Sequence, residues 1–107
     1  MAKKTIMLVC SAGMSTSLLV TKMEAAAKEK GMEIDIFAVS SSEASARIDD
    51  KEHPIDVILL GPQVRFMKKQ FEDKVAGTGI PVAVIEMREY GTMNGEAVLN
   101  TAISLAK

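Results

Sequence analysis

The sequence contains no tryptophan, one tyrosine, one histidine and a single cysteine among its 107 residues. One cysteine cannot form a disulfide within the chain, which is typical of proteins from reducing compartments. Aromatic residues make up only 4 %, and 13 basic against 14 acidic residues leave a net charge of −1. Because nucleic-acid binders usually combine a basic excess with aromatic side chains for stacking, we expect no nucleic-acid partner.

Long hydrophobic runs are also missing. No apolar run approaches the roughly 18 residues that a membrane helix needs. Near the N-terminus the apolar run of residues 6–9 is shorter than the ~7 residues of a signal-peptide core, so we expect a cytoplasmic protein. The length predicts one domain over residues 1–107, and the balance of 48 % hydrophobic and 25 % charged residues is ordinary for a globular protein.

What the sequence does contain is a regular alternation of strand-like and helix-like segments. Strands are predicted at residues 5–10, 33–39, 55–61 and 80–86. Helices are predicted at residues 16–31, 40–50 and 62–77, with a last helix that starts between Gly91 and Gly95. This order predicts an α/β fold, an open four-stranded parallel sheet flanked by helices on both faces, with the first strand internal.

Turn and cap residues support these boundaries. Gly31 is expected to end the first helix, Ser42 to cap the second, and Pro62 to occupy the first position of the third, which ends near Gly77. The third helix carries an apolar stripe made of Val64, Met67, Phe71 and Val75. In open sheets of this kind, ligands bind outside the carboxyl ends of the strands, and Cys10 ends the first strand.

The segment that follows, CSAGMSTS, consists almost entirely of small and hydroxyl residues. Gly13 allows positive φ, so successive main-chain N–H groups can surround one anion, and the next helix directs its positive end to the same point. These dipoles would favour the thiolate of Cys10, the nucleophilic form. We therefore predict phosphoryl transfer at Cys10. The predicted phosphoryl-binding loop consists of Ser11, Ala12, Gly13, Met14, Ser15, Thr16 and Ser17.

Three other interpretations of Cys10 stay open from the residues alone. A cysteine outside a disulfide is often a small apolar residue of the core, and in that case the role of Cys10 would be purely structural. A hydrolytic or redox enzyme, such as a cysteine phosphatase or an arsenate reductase, is a second alternative. A flavin- or nucleotide-binding module is a third, although the fingerprint of three spaced glycines after the first strand is absent, since Gly13 stands alone.

The strand–loop–helix around Cys10 resembles that of the low-molecular-weight tyrosine phosphatases, where a cysteine is followed by five residues, an arginine and a serine. Here Thr16 and Ser17 occupy the last two positions, so the arginine is absent. Such an arginine binds phosphate in a bidentate manner, and comparable arginines contribute roughly 10³–10⁵ in rate. The loop also has no acidic residue to activate water. The sequence therefore favours a carrier of the phosphoryl group over a phosphatase.

Three segments, IMLVCSAGMSTSLLV, DVILLGPQVRFM and PVAVIEMREYGTMNGEAVL, resemble the enzyme IIB component of the bacterial sugar phosphotransferase system, of the lactose/cellobiose/chitobiose type. The resemblance covers essentially the whole chain. It implies that Cys10 accepts a phosphoryl group from a phosphohistidine of enzyme IIA. It also implies transfer of that group to a β-linked disaccharide, of the cellobiose or diacetylchitobiose type, bound by membrane enzyme IIC. We expect a monomer without cofactor or metal that meets the inner face of the membrane only transiently.

Several residues outside the loop have two possible roles. Met14 projects either to a partner or inward. Tyr90, after the fourth strand, belongs either to a wall of the site or to a plain connection. Gln63 would either donate to a phosphoryl oxygen or cap its helix, and Arg65 and Arg88 are further candidates to approach the anion.

His53 is expected to lie in a solvated loop at the amino edge of the sheet, opposite Cys10, because it directly precedes the third strand. No second metal ligand with suitable spacing lies near it.

Overall fold

A computed structural model describes residues 4–10, 14–50 and 52–106 of the chain. Four strands form one sheet, and they are β1 (Lys4–Cys10), β2 (Ile34–Ser40), β3 (Val57–Leu60) and β4 (Val82–Val84). The order across the sheet is β2-β1-β3-β4, and every neighbouring pair is parallel. The predicted parallel sheet with an internal first strand is confirmed.

Helices connect the strands and cover both faces of the sheet. They are α1 (Met14–Glu29), α2 (Ser41–Asp49), a 3-10 helix (Pro62–Met67), α3 (Lys68–Lys74), α4 (Met87–Gly91) and α5 (Gly95–Leu105). Within the described ranges, no helix has both the length and the apolar character needed to cross a bilayer.

Alternating residues of β1 point into two separate cores. Ile6 and Leu8 join the core beneath α1 and α5. Met7 and Val9 join the core beneath α2, the 3-10 helix and α3. Since both faces are covered, the apolar character of β1 is continuous rather than alternating, and so is that of β3.

The start and end of α1 differ in how well the sequence predicted them. The helix begins at Met14, two residues earlier than the predicted start at residue 16. At the other end Gly31 has φ +69°, a left-handed conformation that glycine adopts without strain. The N–H of Met32 then donates to the carbonyl of Ala27, which closes the helix as predicted.

The prediction that Ser42 caps α2 is wrong, because Ser40 occupies the N-cap position. The carboxylate of Glu43 accepts hydrogen bonds from the backbone N–H of Ser40 at 3.4 Å and from its hydroxyl at 3.0 Å. A serine followed three residues later by a glutamate is the capping-box pattern, and it fits Ser40 rather than Ser42.

The predicted single helix at residues 62–77 is also wrong in detail. It divides into the 3-10 helix and α3, and Val64, with φ −118° and ψ 22°, also interrupts the 3-10 helix itself. Its N–H donates to the carbonyl of Gly61, three residues back. The predicted apolar stripe is nevertheless confirmed, since its four members all pack into the second core.

The last predicted helix is α5, which the side chain of Asn94 caps by accepting the N–H of Ala97 at 3.1 Å. The sequence prediction missed α4, one and a half turns that carry Tyr90 into the first core. A five-residue helix is too short to show an apolar period, which is why the pattern did not reveal it.

Candidate functional site

Cys10 is the last residue of β1 and lies at the carboxyl edge of the sheet. Its side chain is buried, with 1 % of its surface exposed. In the parallel register it stands opposite Ser40, the last residue of β2. Because α1 begins only four residues further along, its N-terminal end, with its partial positive charge, starts from the same edge.

The predicted phosphoryl-binding loop is only partly described. Outside the described residues lie Ser11, Ala12 and Gly13. Described by their backbone alone, within α1, are Met14, Ser15 and Thr16. Ser17 is exposed, and its carbonyl accepts a hydrogen bond from Oγ1 of Thr21 at 3.2 Å. The anion cradle after Cys10 therefore stays a prediction.

On the β3 side, Cys10 is bordered by a residue without a side chain. The N–H of Gly61 donates to the carbonyl of Val9 at 2.8 Å and extends the pairing of β1 with β3 by one residue. A Cβ on Gly61 would stand 3.6 Å from Cβ of Cys10 and 3.0 Å from Oε1 of Gln63. The missing side chain of Gly61 thus leaves a small gap between Cys10 and the amide end of Gln63.

On the β2 side, Cys10 is bordered by a polar cluster that the sequence interpretation did not single out. The hydroxyl of Ser40 lies 3.0 Å from that of Ser42 and 3.0 Å from a carboxylate oxygen of Glu43. The cluster therefore brings one negative charge to the first turn of α2, beside the strand that pairs with β1. The capping-box spacing of Ser40 and Glu43 was the signal that could have revealed it.

Other candidates have local partners. Nη1 of Arg65 donates to the carbonyl of Pro62 at 3.1 Å, so this guanidinium folds back over its own 3-10 helix. Arg88 is exposed in α4, and its carbonyl accepts from Oγ1 of Thr92. Tyr90 is buried in the first core, and a place for its segment in a wall of the site stays a prediction.

His53 lies far from Cys10, as predicted. It is exposed in the connection that leads from α2 to the amino end of β3, and its Nδ1 lies 2.9 Å from Oδ2 of Asp50. The pKa of Asp50 is lowered, first by this hydrogen bond and then by the backbone N–H of Glu52. In the described part of the chain, no group of three or more histidine, cysteine or acidic side chains is arranged to hold a metal ion.

Two of the interpretations of Cys10 make different demands on its surroundings. Burial to 1 % is what a purely structural cysteine would show. A position at the carboxyl edge, before the N-terminus of a long helix and beside the gap over Gly61, is what a phosphoryl carrier requires.

The family model of the phosphotransferase system (PTS) lactose/cellobiose-specific IIB subunit matches residues 5–101. The galactose-specific EIIB component of Lactococcus lactis subsp. cremoris is 48 % identical over 98 % of both chains. The cellobiose-specific EIIB component of L. lactis subsp. lactis is 47 % identical over the same shares. The oligo-beta-mannoside-specific EIIB component of Bacillus subtilis is 40 % identical over 95 % of both chains.

Solved structures agree with these sequence matches. The solution structure of the cellobiose-specific IIB component from Borrelia burgdorferi has a TM-score of 0.78 at 44 % identity, covering 98 % of this chain and 93 % of that one. The lactose-specific IIB domain from Streptococcus pneumoniae has a TM-score of 0.85 at 14 % identity, covering 99 % and 100 %, and so shows the shared fold. This fold is also that of the low-molecular-weight phosphatases, as predicted. The chain belongs to the lactose/cellobiose-specific IIB subunit family of the sugar phosphotransferase system.

Proposed function

We propose that Cys10 is the residue through which this IIB component carries a phosphoryl group from enzyme IIA to a sugar bound by membrane enzyme IIC. The observation that supports it most is the position of the chain's only cysteine, at the carboxyl end of an internal strand and just before the 16-residue helix α1. Helix N-termini at this edge are suited to bind anions. Family membership supports the two partners.

In the first step the sulfur of Cys10 attacks the phosphorus of a phosphohistidine on enzyme IIA. The S–P bond forms as the N–P bond breaks, and the imidazole nitrogen keeps the electron pair of the broken bond. The proton of the thiol ends on that nitrogen. Both negative charges stay on the phosphoryl oxygens, where main-chain N–H groups after Cys10 would stabilise them.

In the second step a hydroxyl oxygen of the sugar attacks the same phosphorus. The O–P bond forms, the S–P bond breaks, and the thiolate leaves with the electron pair. The hydroxyl proton passes to a base on the side of the membrane component. Cys10 is then ready for another cycle once its sulfur is reprotonated or meets a new donor.

The composition of the loop favours transfer over hydrolysis. The phosphatase arginine is replaced by Thr16, and no carboxylate in residues 11–17 can activate water. Arginines of this kind contribute roughly 10³–10⁵ in phosphoryl-transfer rate. A phosphocysteine held without one would survive long enough to reach the next partner.

The acceptor that we propose is a β-linked disaccharide of the cellobiose type. One relative is named for cellobiose, another for galactose and a third for oligo-beta-mannoside. Diacetylchitobiose, the other sugar that the resemblance implied, is not among those names. Transfer to a sugar at enzyme IIC would bring this chain transiently to the cytoplasmic face of the membrane.

An apolar rim near the carboxyl edge is the surface on which we propose that the phosphoryl donor docks. The rim consists of the exposed side chains Leu18, Phe66 and Met87, which are 51 %, 79 % and 67 % exposed. Each follows the carboxyl end of a different strand: β1, β3 and β4. Because sulfur and phosphorus must meet directly, a donor has to cover this edge, and exposed apolar side chains of this size are suited to that contact.

The test is phosphorylation by a purified cellobiose-type enzyme IIA, charged with phosphoenolpyruvate and the general phosphotransferase proteins. We expect the intact protein to gain the mass of one phosphoryl group, which Cys10→Ser and Cys10→Ala lose. Membrane vesicles with enzyme IIC and cellobiose should then remove the group and release phosphorylated sugar.

Two results would overturn the proposal. If the Cys10→Ser variant still gains the mass of a phosphoryl group, the acceptor is a residue other than Cys10. Rapid turnover of p-nitrophenyl phosphate by the wild-type protein would identify a phosphatase instead.

A further inference from the structure

Gln63 stands at the edge of the small gap over Gly61. The amide oxygen Oε1 would lie 3.0 Å from a Cβ on Gly61, and Cβ of Cys10 would lie 3.6 Å from the same point. Both distances end at one position, so Oε1 of Gln63 and Cβ of Cys10 border the same small gap and lie no more than about 6.6 Å apart. Gly61 itself is buried, and only its lack of a side chain keeps this space open.

The backbone explains why Gln63 folds back in this way. Pro62 occupies the first position of the 3-10 helix, and the N–H of Val64 already donates to the carbonyl of Gly61. Gln63 therefore sits in a tight turn directly above the end of β3, the strand that pairs with β1. Its position is set by the turn that follows Gly61 and not by a hydrogen bond of its side chain.

The side-chain amide of Gln63 can donate hydrogen bonds. It forms none with any of the described residues. A glutamine amide carries two N–H donors and one acceptor oxygen, and a half-turn about its last bond exchanges them. A phosphoryl group on Cys10 would select the orientation that presents N–H, because a carbonyl oxygen repels an anion.

We propose that Gln63 is a phosphoryl-binding residue, which donates from Nε2 to an oxygen of the phosphoryl group on Cys10. This inference rests on the proposed phosphocysteine, and it adds a side-chain donor from the 3-10 helix after β3 to the main-chain donors predicted after β1. A neutral amide stabilises the charged group without adding the positive charge that a phosphatase arginine supplies. It thus strengthens binding of the cargo and leaves the carrier character intact.

The experiment compares three variants with the wild-type protein, in full-length form. Gln63→Leu removes both donors at similar size, and Gln63→Glu puts a negative charge in the same place. Gln70→Leu is the matched control, because Gln70 is the other glutamine of the chain and is exposed in α3. The measurement is the equilibrium constant for phosphoryl exchange with phosphorylated enzyme IIA, read by mass spectrometry of the intact proteins.

A hydrogen bond to a charged group predicts that Gln63→Leu lowers this constant about tenfold or more. Gln63→Glu should lower it further, because the carboxylate repels the phosphoryl oxygens. Gln70→Leu should leave it unchanged. The thermal midpoints of the unphosphorylated variants should equal that of the wild type, since Gln63 is exposed and its side chain forms no hydrogen bond with the described part of the chain.

Each failure has its own signature. If Cys10 gains the phosphoryl group but Gln63→Leu exchanges it like the wild type, the role of Gln63 is wrong and the proposed function stands. The role of Gln63 is equally wrong if the exchange constants fall only together with the thermal midpoints. If the wild-type Cys10 gains no phosphoryl group, both proposals fail.

Discussion

His53 and Asp50 form a pair on the surface, at the edge of the sheet opposite Cys10. Nδ1 of His53 lies 2.9 Å from the carboxylate of Asp50, and this hydrogen bond is the main cause of the lowered pKa of Asp50. Both residues belong to the connection between α2 and β3. The pair therefore affects the stability of its own loop, and it lies at the opposite edge of the sheet from the proposed phosphoryl group.

Substitution of His53 should change the titration of Asp50 and nothing at Cys10. We expect His53→Ala to raise the pKa of Asp50 toward the ordinary aspartate value, measured by NMR of the Asp50 carboxyl carbon. The pKa of Asp50 is lower in the folded state than in the unfolded chain. The pair therefore stabilises the fold at pH values above the ordinary aspartate pKa, and this stabilisation is lost as the pH falls through the lowered pKa of Asp50. A loss of Cys10 phosphorylation in His53→Ala would contradict this assignment.

At the scale of elements, the packing of α1 against α5 depends on one glycine. Gly95 is the first residue of α5, and it is buried against the backbone of α1 at Lys22 and Met23. A Cβ there would lie 2.5 Å from the carbonyl carbon of Lys22 and 2.7 Å from the nitrogen of Met23. Backbone atoms cannot move aside as a flexible side chain would, so the two helices would have to separate.

Gly95→Ala should therefore destabilise the protein by about 1–3 kcal/mol, the usual range for overpacked sites. The matched control is Gly91→Ala, because a Cβ on Gly91 meets no atom within 4 Å. Gly91 closes α4, and alanine there should be neutral or stabilising by about 0.4–1 kcal/mol. Urea unfolding of both variants measures the difference, and equal stabilities would contradict the close approach of α1 and α5.

At the scale of the whole molecule, the fold separates stability from partner contact. Packing is provided by two cores, one on each face of the sheet. The apolar rim of Leu18, Phe66 and Met87 is exposed, so its side chains contribute little to either core. Substitutions in the rim should therefore change the rate at which the donor phosphorylates Cys10 without changing the stability of the chain.

Phe66→Ser tests this separation. We expect an unchanged thermal midpoint, because Phe66 is 79 % exposed, and a slower phosphorylation of Cys10 by limiting enzyme IIA. Loss of one buried apolar anchor typically costs a complex about 1 kcal/mol or more, which is roughly a fivefold or greater loss of rate at low donor concentration. The final extent of phosphorylation should match the wild type, since the site itself is intact.

Phe71→Ser is the contrasting variant. Phe71 is 2 % exposed in the second core, and its loss should lower stability by about 3–5 kcal/mol, as for other buried phenylalanines. A Phe66→Ser protein that is as unstable as Phe71→Ser, or one that is phosphorylated at the wild-type rate, would contradict the assignment of the rim.

Local patterns in the sequence were enough to predict the sheet and the position of its cysteine. The alternation of apolar runs with periodic segments predicted the four strands and the helices between them. Gly31 as the end of α1 and the apolar stripe that runs from Val64 to Val75 also followed, because each depends on residues within a few turns of one another. The resemblance of the three quoted segments identified the family before any coordinates.

Only the tertiary structure brought together residues that lie far apart along the chain. The approach of Gln63 to Cys10 depends on the pairing of β3 with β1, and the approach of Gly95 to Lys22 depends on the crossing of α5 over α1. The pattern likewise missed α4, which is too short to show an apolar period, and the break at Val64 inside the 3-10 helix. The physical reason is that periodicity and propensity act over neighbouring residues, whereas these contacts are decided by how separate elements pack.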